Sequence, residues 1–78
     1  MSATPPDAEI DARGLNCPLP ILRAKRALAG LVSGQTLAVQ TTDIHAVLDF
    51  QAFCRQTGHG LLSQTEAGGV ATHLLRKR

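Results

Sequence analysis

A chain of 78 residues with a formal net charge of +2 and 44% hydrophobic residues has room for one small domain around an aliphatic core. Phe50 and Phe53 are its only aromatics, so little is present for unpaired bases to stack on, and the modest charge also weighs against direct nucleic-acid binding. No segment approaches the roughly 20 apolar residues of a membrane span, and the two cysteines, Cys17 and Cys54, form no Cys-x-x-Cys pair of the kind that holds zinc or runs thioredoxin-type exchange.

Residues 1–8 read as a flexible N-terminal tail ahead of a single domain over 9–78. The tail has no basic stretch followed by an apolar run, so it is not a signal peptide, and the expected setting is the cytoplasm, where thiols stay reduced. Glu9 to Ala12 alternates as a short strand, and Arg13-Gly14-Leu15-Asn16 is a turn. Pro18 suits the first position of a helix, and Ile21, Ala24, Leu28 and Leu31 follow as one apolar stripe, with Arg23, Lys25 and Arg26 off it. Gly30, Ser33 and Gly34 end that helix.

Thr36 to Thr42 alternates as a second strand, and Asp43 is the expected N-cap of a second helix. Val47, Phe50, Cys54 and Thr57, with Phe53 alongside, mark the buried face of that helix, and Gly58 its stop. Leu61 to Glu66 and Val70 to Leu75 are strands joined at Ala67-Gly68-Gly69. The order β-α-β-α-β-β predicts an α/β two-layer sandwich, with two helices on one face of a four-stranded mixed sheet.

Asn16-Cys17-Pro18-Leu19-Pro20 carries the chemistry. With Pro18 as the first helical residue, Cys17 is the N-cap, where the helix dipole favours an anionic sulfur and a lowered thiol pKa of about 7–8. Pro18 and Pro20 donate no amide hydrogen, which leaves Leu19 to donate, and both rings stiffen the turn. The bland alternative is a small residue at a helix start, since cysteine is not a favoured N-cap. Cys54, on an apolar stripe, reads as core. His45, His59 and His73 are scattered without ligand spacing, so neither a metal nor another cofactor is expected.

The run from Asp11 to Pro20 resembles the Cys-Pro-x-Pro signature of the TusA-like sulfur-carrier family. Gly34-Gln35, Asp43, Phe53-Cys54, Gly58-His59 and Leu75-Arg76-Lys77 extend the resemblance over residues 9–78. Two positions depart from it: Ile44 stands where family members often have proline, and Gly60 where many have an acid. The resemblance implies that Cys17 accepts sulfane sulfur as a persulfide and relays it, in tRNA thiolation, molybdenum-cofactor supply or sulfur oxidation. It implies a protein donor, a cysteine desulfurase or a rhodanese-type sulfurtransferase, and a protein acceptor. The protein is then a carrier, sulfurtransferase-type only in a loose sense, and is expected to be a monomer. Pro18, Leu19, Pro20 and Arg13 are candidate supports of the sulfur, and Arg23 and Arg26 a candidate partner-docking face. The alternatives are a regulatory or RNA-binding module with a structural Cys17, and a thiol-redox protein using both cysteines, which the apolar setting of Cys54 disfavours.

Overall fold

The computed structural model describes residues 4–78. The elements are β1 (Ala8–Ala12), α1 (Leu19–Ala29), β2 (Thr36–Thr41), α2 (Ala46–Thr57), β3 (Gly60–Ala67) and β4 (Val70–Arg76). The sheet order is β1-β2-β4-β3, with β1 and β2 parallel and the other two pairings antiparallel. A parallel pair cannot be closed by a hairpin, so α1 serves as the β1-to-β2 crossover. The chain then passes over one strand position to β3, and β4 folds back into the gap. Both crossovers advance the same way across the sheet, and right-handed connections therefore place α1 and α2 on one face. The two helices pack against each other there.

Strand alternation selects the residues beneath them. Ile10 and Ala12 of β1, Leu37, Val39 and Thr41 of β2, and Ala71, His73 and Leu75 of β4 lie in register on the covered side. Ala24 and Leu28 of α1 and Ala46, Phe50, Phe53 and Cys54 of α2 close onto them as one core. Phe50 is the central filler, edge-on to Phe53 and stacked on His73 at 4.4 Å between ring centres. In β3 a bulge between Leu61 and Ser63 resets the alternation, so Leu61 faces Leu75 and Gln64 faces His73.

Several boundaries differ from the sequence reading. The strand begins at Ala8, and Asp7 is tied down: its backbone N–H donates to Thr36 Oγ1 at 3.1 Å, and its carboxylate accepts the Thr36 N–H at 2.8 Å. The expected tail over residues 1–8 therefore loses its last two members, and residues 1–3 lie outside the described chain. Gly58 does end α2 in the left-handed conformation, φ +84°, with its N–H on the Cys54 carbonyl.

His73 is fully buried, which its place in an alternating strand did not reveal. Its Nδ1 lies 3.0 Å from Gln64 Nε2, and its Nε2 lies 2.8 Å from Thr41 Oγ1. Gln64 Nε2 also donates to the Val47 carbonyl at 2.9 Å, while Gln64 Oε1 accepts from Gln51. Because the amide nitrogen faces His73, Nδ1 is the acceptor and Nε2 carries the proton to Thr41. A neutral imidazole thus satisfies the buried polar atoms between sheet and α2, and burial pushes its pKa down.

Candidate functional site around Cys17

The loops after β1 and β2 leave the carboxyl ends of two adjacent parallel strands, the usual position for a site in an open α/β sheet. Hydrogen bonds stitch them together. Gly14, at φ +80°, donates its N–H to Thr42 Oγ1 at 2.9 Å, and Cys17 donates its N–H to Asp43 Oδ2 at 2.7 Å. Asp43 Oδ1 accepts the His45 N–H at 3.0 Å and lies 3.0 Å from His45 Nδ1. These bonds pull the Asp43 carboxyl below its ordinary pKa, the His45 amide most strongly and the Cys17 amide next. Asn16, Cys17, Asp43 and His45 line an open cavity of about 280 Å³.

The structure corrects the expected helix start. Residue 18 flanks α1, which opens at Leu19, so Cys17 stands one residue outside the N-cap. The Leu19 N–H is bonded to the Asn16 carbonyl at 2.8 Å and does not reach for sulfur. The thiol of Cys17 is pushed above its ordinary pKa, not lowered. The nearby Asp49 carboxylate is the main cause, followed by loss of solvation and by the negative charge of Asp43. Asp43, likewise, is not the N-cap of α2; His45 holds that position, and Asp43 spans the two loops instead.

Of the other candidate residues, Pro18 and Leu19 are exposed beside the sulfur, and Pro20 is buried as the anchor of the first turn. Arg13 grips its own strand neighbour, with Nε to Asp11 Oδ1 at 2.9 Å and an NH2 bond to Oδ2, and holds the Asp11 carboxyl down to about 2. It opens onto the uncovered sheet face beside Gln40 and Thr72, so its charge is spent on Asp11. Arg23 and Arg26 are exposed and form no ion pair among the described residues. Leu19 and Leu22 of α1, Leu48 of α2, and Ile44, 88% exposed in the β2–α2 loop, stand uncovered at this end.

Cys54 is 5% exposed and burial raises its thiol pKa, as its place on the α2 stripe suggested. The sequence reading missed Asp43, His45 and Asp49 as neighbours of the sulfur. The only available signal was Asp43 immediately after the second strand, at the end where parallel neighbours place their loops.

Comparison with known proteins gives the family. The family model described as Sulfurtransferase TusA matches residues 8–77, and the chain belongs to that family. It is 54% identical over 71 residues to the sulfur carrier protein TusA of Allochromatium vinosum, covering 91% of this chain and 93% of that protein. It is 40% identical over 73 residues to the sulfur carrier protein TusA of Pseudomonas putida, covering 94% and 91%. A crystal structure of a SirA-like protein from Desulfitobacterium hafniense superposes with a TM-score of 0.79 at 28% identity, covering 88% of this chain and 95% of that one. No helix among the described residues is long and apolar enough to cross a membrane.

Proposed function

We propose that the protein is a sulfur carrier that accepts sulfane sulfur on Cys17 as a persulfide and passes it to the thiol of an acceptor protein. The observation that carries this reading is the contrast between its two cysteines. Cys17 is exposed at the carboxyl ends of parallel strands among polar groups, and Cys54 is sealed in the core. A carrier must meet two different proteins at one atom, so its sulfur has to be accessible on a rigid support. The loop bonds from Gly14 and Cys17 supply that support.

The donor is a cysteine desulfurase or a rhodanese-type protein. The uncovered leucines and Ile44 beside Cys17, flanked by Arg23 and Arg26, offer a docking face with an apolar centre and a basic margin. The carrier works as a monomer in the cytoplasm, where the thiol stays reduced between cycles. The test is intact mass after incubation with a desulfurase and cysteine, or with thiosulfate and a rhodanese. A gain of one sulfur that a reductant removes, retained in Cys54→Ser and lost in Cys17→Ser, is the expected result; loading that persists in Cys17→Ser refutes the assignment.

A further inference from the structure

We propose that His45, oriented by Asp43, is the catalytic acid–base group for sulfur transfer at Cys17, an inference that rests on the carrier reading and names a residue for its proton steps. Asp43 holds both participants from opposite oxygens: Oδ2 takes the Cys17 N–H, and Oδ1 takes the His45 N–H and faces Nδ1. A carboxylate only accepts hydrogen bonds, so the neutral imidazole carries its proton on Nδ1 and presents Nε2 as a lone-pair acceptor. The His45 side chain is 70% exposed whereas the Asp43 side chain is 9% exposed, so a buried anchor directs an accessible ring. Cys17 and His45 line the same cavity. Asp43 thus ties the nucleophile's backbone and the imidazole to one carboxylate, the orienting half of the pattern that activates a nucleophile.

The surroundings of Cys17 explain why a base is needed. Thiolate is the attacking form, yet Asp49 from α2 and Asp43 from the β2–α2 loop both oppose ionisation of this sulfur. Asp11 of β1 and Arg13 of the turn after it neutralise each other, and from α1 the exposed Arg23 is the first cation. No Lys or Arg lines the cavity. The imidazole therefore takes the Sγ–H proton on Nε2, and the imidazolium so formed offsets the two carboxylates.

The transfer then balances without an external oxidant. Sγ attacks the terminal sulfur of a donor persulfide, R–S–SH. The new Sγ–S bond forms as the R–S bond breaks, its electron pair leaves with the donor thiolate, and the proton on His45 passes to that thiolate. In unloading, His45 takes the proton of the acceptor thiol, and the resulting thiolate attacks the terminal sulfur of the Cys17 persulfide. The Sγ–S bond breaks with its electron pair on Sγ, and His45 gives that proton to the departing Sγ.

The experiment compares His45→Gln with its parent, both in a Cys54→Ser background, after thermal melts establish that both are folded. Loading from glutathione persulfide is followed by intact mass, and alkylation of Cys17 by iodoacetamide is followed across pH. The variant is expected to reach the same extent of loading, but about 100-fold more slowly near pH ~7, a usual size for the loss of an acid–base group. The gap should close towards pH ~9, where thiols ionise unaided. Superimposable pH profiles overturn the proposal. If the parent itself fails to load while the alkylation profiles still separate, the carrier reading falls and proton exchange between His45 and Cys17 stands.

Discussion

Acidification should destabilise this fold through His73. The ring is fully buried, donates from Nε2 to Thr41 and accepts on Nδ1 from Gln64. A second proton on Nδ1 would confront the Gln64 amide hydrogens, and turning the Gln64 amide over would forfeit its bond to the Val47 carbonyl. The folded protein therefore binds this proton less readily than the unfolded chain, whose imidazole titrates near the ordinary 6.5. The stability contributed by the neutral ring is complete above that value and is lost as pH falls below it. The slope for one such group is at most about 1.4 kcal/mol per pH unit. Between pH ~7 and ~5 the loss reaches up to about 2 kcal/mol, a large share of the ~5–15 kcal/mol that holds a typical domain.

Urea unfolding of the parent and of His73→Leu at the two pH values measures it. The variant begins less stable at neutral pH, by about 1–3 kcal/mol for each partner group left unpaired. It lacks this proton linkage, however, and the other histidines are common to both proteins. The parent should therefore lose more than the variant on acidification, by up to about 2 kcal/mol. Equal losses would refute the buried neutral imidazole.

Cys54→Ser should lower stability by about 1–3 kcal/mol in the same unfolding assay, because a hydroxyl enters the apolar α2 stripe beside Phe50 and Phe53. Gly58→Ala should cost about 1–2 kcal/mol, read as a lowered urea midpoint, since a Cβ at φ +84° strains the backbone although the nearest atom, Arg78 Cδ, leaves 3.6 Å. Reversing Arg23 and Arg26 to Glu should slow association with a sulfur donor in stopped-flow mixing and flatten its dependence on salt, because rim charges act mainly on the on-rate. An unchanged rate at low salt would mark the basic face as ordinary solvated surface.

What the sequence disclosed was local. Pro18 and the stripe of Ile21, Ala24 and Leu28 located α1, whose end at Ala29 leaves the expected Leu31 beyond it; Phe50 and Cys54 located the inner face of α2, and Gly58 its end. The exposed and buried cysteines were separable for the same reason, one preceding a helix and the other on a stripe. The features that escaped depend on segments brought together from far along the chain. The return of β4 between β2 and β3 is a choice of sheet order that no single strand encodes. The bond from Cys17 to Asp43 spans 26 positions, and it redirected Asp43 from the expected helix cap to a tie between loops. Burial of His73 required the β3 bulge that turns Gln64 inward. The thiol pKa was misjudged because the helix dipole was weighed without Asp49, which lies on another element.

The most direct measurement of Cys17 as a sulfur carrier is cyanolysis of the loaded, donor-free protein. Cyanide removes sulfane sulfur as thiocyanate and leaves an ordinary thiol. The expected yield is one thiocyanate per chain from the parent and from Cys54→Ser, and none from Cys17→Ser, with peptide mass mapping the extra sulfur to the segment containing Cys17. Thiocyanate released from Cys17→Ser, or extra sulfur mapped to Cys54, would contradict it.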